Sequence, residues 1–585
     1  MDNRNLLLAV VLSGLLILGW DIGMRYFYPE AALPPPAQTA AAAGASAAAV
    51  PGASAAGLGE DIAATGKVDL KTALASTNRV VIDTPRLAGS INLVGARIDD
   101  VVLKDYRQTV KKASGPVRLF APERTAEQYF AEFGFVTGGV RQPATAVWQA
   151  DGRRLTPASP VTLTRTDASG ITYRIRFAVD ENYMITATQS ATNAGAAAAI
   201  IQPFALIKRT SANASLSQWI AHSGPVFTAD AVANYDVAYQ CGWTLLSTCN
   251  DLSEEKLYKL EGKPDWLGFT DQYWFAALVP GEGVAGAEFR AVGDKLFRAD
   301  VLYPAATVAA GQSLTRSTRL FAGAKESALL DAYEDSGIAQ FGRAITWGWF
   351  WFFEKPFLWL LRTLNGLVGN FGVAIILMTV IIRGLMFPIA QKQFASMAAM
   401  RAVQPKMKEI QERFKDDKQR QQQEIMKLYK DEKVNPLAGC LPLVLQIPIF
   451  FALYKVLVLA IEMRHEPFVL WIRDLSAPDP AHILNLFGLL PFEVPAGFLA
   501  IGPLAVLLGI TMWLTFKLNP AASDPVQQQM FAIMPWILMF VMAPFAAGLL
   551  LYWVTSNILT LAQQSYLYSK HPQLKAAAAK EKAKT

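Results

Sequence analysis

The spacing of hydrophobic positions changes along the chain and predicts two different kinds of structure. Between residues 61 and 340, apolar and polar positions alternate over short runs, as in Ile171–Val179 (ITYRIRFAV), Met184–Ser190 and Ala287–Val292. A period of two is typical of half-buried strands, so we expect an all-β domain there, built as one large antiparallel sandwich. From residue 372 onward, long continuous apolar runs instead predict helices that span a membrane.

Six apolar runs are candidate spans, and the segments between them complete the domain order. The predicted order is an N-terminal anchor as span one (1–24), an Ala/Pro-rich linker (25–60), the sandwich (61–340), an amphipathic interfacial helix (341–371), span two (372–390), a helical hairpin (391–433), span three (434–461), a loop (462–497), span four (498–516), a short loop (517–529), spans five (530–545) and six (546–567), and a basic tail (568–585). The first run lacks a prompt small-residue cleavage site, so we interpret it as an anchor rather than a signal peptide. The interfacial helix is inferred from its dense aromatic residues, and a buried strand or core helix is the alternative.

Charge sets the expected orientation in the membrane. The hairpin carries 11 Lys or Arg against 7 acids, whereas loop 462–497 carries 2 Arg against 5 acids. Because cytoplasmic segments are enriched in Lys and Arg, the hairpin and the basic tail are expected inside, with both termini cytoplasmic and the sandwich outside. The net charge of +6 lies largely at these cytoplasmic ends, and it does not call for nucleic acid as the primary partner.

One charged residue interrupts the second span. Arg383 lies ~16 Å along a helix from Gly372, which is far from water if the run crosses a bilayer. No acid occurs at a matching depth in the other long apolar runs. An intramembrane cation without a fixed counter-ion predicts a watery recess, whose negative partner arrives from elsewhere. Thr379 precedes Arg383 by four residues and should lie on the same helix face.

The sandwich offers little that indicates catalysis. Its only histidine is His222, and the range has no nucleophile elbow, phosphate loop or spaced metal ligands, so we expect a scaffold or docking module without cofactor or metal. Cys241 and Cys249 would face an oxidising compartment and could form a disulfide, with two buried thiols as the alternative.

The hairpin has features of an adaptable surface. Its first helix carries apolar residues at spacings of three and four, Asp416 and Asp417 mark a turn, and a second helix is expected from Ile425 to Asn435. Four methionines, Met397, Met400, Met407 and Met426, could contact varied apolar clients, and ordinary packing between the two helices is the alternative.

Several long motifs together resemble one known family. They are VGNFG (368–372), VIIRGLMFPI (380–389), MRAVQPKM (400–407), VNPLAGCLPLVLQIPIFFALY (434–454) and LLYWVTSNILTLAQQ (550–564). From about Trp347 to its end the chain closely resembles the YidC/Oxa/Alb family of membrane protein insertases. The anchor, linker and sandwich are similar in layout to the long, Gram-negative form with its periplasmic super-sandwich. Loop 462–497 departs from the pattern because it is longer, which leaves the start of span four open.

The resemblance implies a non-enzymatic insertase and chaperone of the bacterial inner membrane, with a five-helix core around a hydrophilic groove. The groove residues that it implies are Arg383, Thr379, Gln446, Phe450, Tyr552 and Asn557. The implied partners are nascent membrane proteins, the Sec translocase with its accessory subunits, the lipid bilayer, and ribosome or signal recognition particle machinery at the hairpin and tail. Two rivals remain from the residues alone. A secondary transporter or channel would usually show paired intramembrane acids, proton relays or repeated broken helices. A periplasmic binding or sugar-processing sandwich merely anchored by helices would lose all function without residues 61–340.

Overall fold

The computed structural model describes residues 67–570, apart from a set of short gaps. The gaps are 77, 112, 213, 215–220, 232–234, 240–251, 294, 349–350, 416, 433–440, 489, 491–500 and 519–524. The predicted anchor (1–24), the linker (25–60), Cys241 and Cys249 lie outside the described residues.

Two twisted sheets form the N-terminal half of the described chain. Their strands are β1 (Arg79–Asp83), β2 (Leu87–Asn92), β3 (Arg97–Arg107), β4 (Pro116–Phe120), β5 (Tyr129–Thr137), β6 (Val140–Arg141), β7 (Gln149–Ala150), β8 (Arg154–Leu155), β9 (Val161–Thr166), β10 (Ile171–Val179), β11 (Met184–Asn193), β12 (Ala199–Thr210), β13 (Gly224–Ala229), β14 (Tyr235–Asp236), β15 (Leu257–Lys259), β16 (Pro264–Thr270), β17 (Trp274–Pro280), β18 (Gly286–Gly293), β19 (Leu296–Leu302), β20 (Ala306–Val308) and β21 (Ser313–Ala324). One sheet has the order β15-β18-β19-β12-β5-β3-β2-β1-β8. Three further strands pair with members of this sheet: β20 with β12, β4 with β3 and β6 with β5. The other has the order β14-β13-β16-β17-β21-β11-β10-β9-β7.

The alternating pattern of the sequence places one face of each sheet in a shared core. Along β10, every second residue from Ile171 to Val179 is buried. The rings of Phe133 and Phe177, one from each sheet, lie 5.6 Å apart at their centroids, and those of Phe135 and Tyr173 lie 5.0 Å apart. Such contacts between inward faces are what hold a sandwich together.

Two details of this domain differ from the sequence prediction. The strands are not all antiparallel, because β1 and β8 pair in parallel, with Val81 opposite Arg154 and Ile82 opposite Leu155. The domain is also β-rich rather than all-β. Alternation sets which face of a strand is buried, but it does not set the direction of its neighbour.

Helices occur within the sandwich and make up most of the C-terminal half. They are α1 (Leu70–Leu74), α2 (Leu252–Glu255), α3 (Ser327–Asp335), α4 (Trp351–Val368), α5 (Phe371–Leu385), α6 (Phe387–Arg413), α7 (Lys418–Asp431), α8 (Leu441–Leu459), α9 (Pro503–Leu518), α10 (Pro525–Met542) and α11 (Ala547–Lys570), with 3₁₀ turns at Phe341–Ala344, Ile461–Met463 and Leu486–Gly488. Within the described residues, none of the helices combines the length and the apolarity needed to cross a membrane.

The run predicted as span two, residues 372–390, is divided between α5 and α6. Met386 caps the end of α5, and α6 begins at Phe387 with Pro388 in its first turn. Proline is suited to a first helical turn, because its missing N–H would have no partner there. The apolar run therefore continues into the first helix of the hairpin, which the hydrophobic pattern alone did not reveal.

The second helix of the hairpin starts earlier than predicted. It begins at Lys418 instead of Ile425, because the Asp417 carboxylate accepts a hydrogen bond from the Arg420 amide at 3.0 Å and caps the helix. It ends at Asp431, and Tyr429 donates to the Met407 sulfur at 3.1 Å across the seam. Met407 is buried and packs in this seam, whereas Met426 is exposed.

The aromatic segment for which the sequence predicts an interfacial helix contains the helix α4, and one face of α4 is buried. Glu354, Leu358 and Leu361 are buried, whereas Trp351 and Trp359 are exposed. The exposed side is thus aromatic, and the buried side carries a carboxylate.

Candidate functional site

The candidate site is organised around Arg383, near the C-terminal end of α5. Asn370 caps the start of this helix by accepting from the Val373 amide at 3.1 Å. Ala374, Ile375 and Met378 form its buried face. These contacts fix the helix against its neighbours and leave Arg383 half-buried at its far end.

The guanidinium of Arg383 contacts the C-terminal helix α11. Its Nε donates to the Ser556 hydroxyl oxygen at 3.0 Å, and its Nη2 donates to the same oxygen. The Gln563 amide donates to the backbone oxygen of Arg383 at 3.4 Å. Ser556 is fully buried, so the guanidinium makes this contact on its buried side.

Tyr552 and Gln446 extend this arrangement to a third helix. Tyr552 lies one turn before Ser556 on α11, so the two side chains share a face. Gln446 of α8 donates to the Tyr552 hydroxyl at 2.6 Å. We call Arg383, Ser556, Tyr552 and Gln446 the Arg383 cluster. It joins α5, α8 and α11 through polar groups of which only the arginine is charged.

The remaining predicted groove residues have other contacts. The Thr379 hydroxyl donates to the Ile375 backbone oxygen of its own helix at 2.6 Å, and the side chain is fully buried. Phe450 packs against Trp553 with ring centroids 5.0 Å apart. The Asn557 amide donates to the Thr511 hydroxyl of α9 at 3.2 Å. The structure therefore brings Arg383, Gln446 and Tyr552 together, and it directs Asn557 toward a different helix.

Ser556 is the residue that sequence reasoning omitted from the site. It was one of several polar residues in the last apolar run, where a single serine is usually a contact between helices. Its spacing of four from Tyr552 is the signal that could have selected it, because residues at that spacing lie on one helix face.

No carboxylate within the described ranges forms an ion pair with Arg383. The guanidinium charge is instead stabilised by the Ser556 hydroxyl on its buried side. Its other side is partly exposed and open to contact from outside the chain. A cation held in this way can bind an anionic group that approaches from outside the chain. The described residues contain no group of His, Cys, Asp or Glu that could hold a metal ion.

Two buried arginines of the sandwich are paired with carboxylates in contacts that have a structural character. Arg209 lies 2.5 Å from Asp271, whose other oxygen accepts from the Ser223 hydroxyl at 2.8 Å. Burial raises the pKa of Asp300 to about 6, and Arg298, 2.8 Å away on the same strand, opposes that shift. Removing one member of such a pair strongly destabilises the protein, because the other charge is left buried without a partner.

The sandwich and the helices contact each other at the C-terminal end of α8. Gln272 of the sandwich donates to the Val458 backbone oxygen at 2.9 Å. Arg464, just beyond α8, donates to the backbone oxygens of Arg107 at 2.9 Å and Gln108 at 3.2 Å. The long loop that begins at residue 462 therefore helps to dock the sandwich.

Comparison with known proteins covers the whole of this architecture. Residues 363–575 match the family model described as 60Kd inner membrane protein, and residues 79–360 match the model of the YidC periplasmic domain. The membrane protein insertase YidC of Nitrobacter hamburgensis is 43% identical, over 97% of this chain and 95% of its own length. That of Rhizobium johnstonii is 41% identical, over 97% of this chain and 96% of its own.

Among solved structures, the chain is similar to an active YidC insertase with its first transmembrane domain resolved. The identity is 17%, the TM-score is 0.35, and the match covers 83% of this chain and 92% of that one. The two family models together span both halves of the molecule, and the relatives match along nearly their full length. The chain belongs to the YidC family of membrane protein insertases, non-enzymatic proteins of the inner membrane that have a periplasmic domain and take nascent membrane proteins as substrates.

Proposed function

We propose that the Arg383 cluster is the site at which the hydrophilic flank of a client protein enters the membrane. The observation that carries this proposal is the environment of Arg383, which is half-buried, bonded to the neutral hydroxyl of Ser556, and without an acidic partner in the part of the chain that the structure describes. An acidic client flank can supply the missing negative charge. The transfer of that flank then becomes less unfavourable than its transfer through lipid alone.

The proposed sequence of events begins at the cytoplasmic hairpin. The client's hydrophobic segment contacts the hairpin, where Met426 is exposed, and its flank then enters the groove beside Arg383. The flank crosses a shortened apolar barrier while the client helix moves into lipid between spans three and five. Burial of the client's apolar surface in lipid supplies the driving force, so no nucleotide hydrolysis is required.

This mechanism uses the six-span topology predicted from the apolar runs, with both termini in the cytoplasm. Of the proposed groove residues, Gln446 and Tyr552 are joined to each other by a hydrogen bond, and Tyr552 lies one turn from Ser556, which accepts from Arg383. Phe450, beside Trp553, provides an apolar wall, while Thr379 and Asn557 shape the groove through their contacts with neighbouring backbone and with α9. Sec translocase subunits are proposed to contact the sandwich, and ribosome or targeting machinery to contact the hairpin and tail.

The proposal is tested by comparing two variants on two clients in reconstituted membranes. Arg383→Ala should slow insertion of a client with an acidic translocated flank far more than that of a matched client with a neutral flank, and Arg383→Lys should retain most activity. Equal loss with alanine and lysine would mean that guanidinium geometry, and not charge, is required. Photocrosslinking from position 446 to a stalled nascent chain reports whether the client reaches the cluster.

Deleting residues 61–340 separates the insertase mechanism from a sandwich-centred function. We expect insertion to survive the deletion. Complete loss of function, with the helical core still present in the membrane, would contradict the mechanism.

A further inference from the structure

The segment that follows α8 covers one end of the helical core, and we call residues 462–488 the capping loop. The Asn370 side chain, which caps the start of α5, donates to the Phe468 backbone oxygen of this loop at 3.1 Å. The Ala547 amide at the start of α11 donates to the Ala477 backbone oxygen at 2.7 Å. The capping loop therefore contacts the first residues of two core helices at the same end of the core.

This end of the core is the periplasmic end. The sandwich docks there through Gln272 and Arg464, and residues 79–360 match the periplasmic domain of the family. Arg383 lies about 20 Å from Asn370 along α5. The capping loop is therefore separate from the Arg383 cluster.

The capping loop has carboxylates inside and apolar side chains outside. Asp474 and Asp479 are buried. Asp479 accepts from the Trp471 indole at 2.9 Å and from the Leu504 amide of α9 at 3.1 Å. Leu470, in contrast, is 85% exposed although the sandwich and the helices are in place. A surface that faces water usually has the opposite distribution.

The exposed apolar side chains form two tips of the capping loop. Leu470 forms the first tip, and Leu484, Leu486 and Phe487, each more than half exposed, form the second. The backbone φ angles of Leu470 and Phe487 are 58° and 62°, in the left-handed region. This conformation is unfavourable for large side chains, so its presence at both tips indicates a function for the exposed side chains.

Backbone hydrogen bonds fix both tips in this conformation. The Phe468 amide donates to the Ile472 oxygen at 3.0 Å and closes the turn that contains Leu470. The Phe487 amide donates to the His482 oxygen at 2.8 Å and closes the second tip. The tips are therefore ordered without any partner.

The lipid bilayer is the partner that fits these tips. Arg362 of α4 lies 3.1 Å from Glu462, so α4, which exposes Trp351 and Trp359, is joined to the capping loop. Tryptophan collects at the level of the lipid head groups, and leucine and phenylalanine favour the hydrocarbon region. The tips contain none of the Trp, Tyr and Arg side chains that dominate binding between proteins.

We propose that the capping loop inserts its two tips into the periplasmic leaflet of the bilayer and so anchors the periplasmic end of the helical core. Leu470 and Phe487 are the inserted side chains, and Asp474 and Asp479 hold the base of the loop together. Because the contact is apolar, it requires no particular lipid head group. The inference does not depend on the proposed function of the Arg383 cluster.

The test is hydroxyl-radical footprinting of the unaltered protein in lipid nanodiscs that each hold one copy, made from phosphatidylethanolamine and phosphatidylglycerol. The radicals form in water and oxidise side chains that water reaches. We expect Leu470 and Phe487 to be oxidised several times more slowly than Val140, which is 72% exposed on the sandwich. Oxidation of all three at similar rates would overturn the proposal. Protection that appears only in native membranes, and not in nanodiscs, would also overturn it, because the partner would then be a protein.

A double variant tests whether the tips anchor the loop. Leu470→Asn with Phe487→Asn removes both apolar side chains, and asparagine tolerates the left-handed conformation of the backbone. We expect the oxidation of Leu484 to become several times faster in this variant, because the loop leaves the leaflet. Val140→Asn is the matched control and should leave Leu484 protected. If Leu484 is equally protected in the double variant, the two tips do not anchor the loop and the proposal is wrong.

Discussion

Replacing Ser556 by alanine tests whether the Arg383 cluster works as a unit. The substitution removes one oxygen atom from a fully buried position, and it removes the acceptor of two donors of the Arg383 guanidinium. A hydrogen bond that involves a charged group contributes about 1.5–3 kcal/mol. Because Arg383 is half-buried, water can replace part of this contact, so we expect the lower end of that range.

A loss of about 1.5 kcal/mol corresponds to roughly a tenfold change in an equilibrium or a rate. We therefore expect Ser556→Ala to slow insertion of the acidic-flank client by about tenfold, and to have a smaller effect on the neutral-flank client. The assay is protease protection of the client after insertion into proteoliposomes that contain equal amounts of each variant.

The control is Thr555→Val, which removes the neighbouring hydroxyl without changing side-chain shape. The Thr555 hydroxyl donates only to the Leu551 backbone oxygen of its own helix, at 2.8 Å, so its removal should change the rate by less than about twofold.

The decisive comparison is Ser556→Ala in the Arg383→Ala background. If Ser556 acts by holding Arg383, its substitution should have no further effect there. An equal slowing in both backgrounds would refute the reasoning, because Ser556 would then act independently of the arginine.

Two further predictions concern stability. Gly372→Ala should lower the unfolding temperature, because a Cβ there would lie 2.1 Å from a ring atom of Phe468. Overpacking of this kind costs about 1–3 kcal/mol. The control is Gly366→Ala, which should not lower the unfolding temperature because a Cβ there would have no atom within 4 Å. The pKa of Glu354 is raised from an ordinary 4.5 to about 8, so the folded protein keeps this proton where the unfolded chain loses it. The contribution of Glu354 to stability should therefore fall as the pH rises from 4.5 to 8, and Glu354→Gln should show a weaker loss of unfolding temperature over that interval. The same slope in both proteins would contradict the assignment.

Local patterns in the sequence were sufficient for the type of most elements. Alternation predicted the strands of the sandwich, since a period of two records which face of a strand is buried. The helical hairpin and the aromatic helix α4 were also predicted, although the start of α7 was wrong by seven residues, because the capping role of Asp417 outweighed the apolar spacing.

The sequence also identified Arg383 as an unusual charge and, through long motifs, the family to which the chain belongs. The sequence was sufficient for both inferences because an isolated charge in an apolar run and a family motif are each defined by residues that are adjacent in the chain. Only the tertiary structure decided three other features. They are the contact of Arg383 with Ser556, 173 positions away, the hydrogen bond from Asn557 to Thr511, and the parallel pairing of β1 with β8. These contacts depend on how helices and strands are rotated and aligned against each other, and that alignment minimises the free energy of the whole packed core rather than of any one segment.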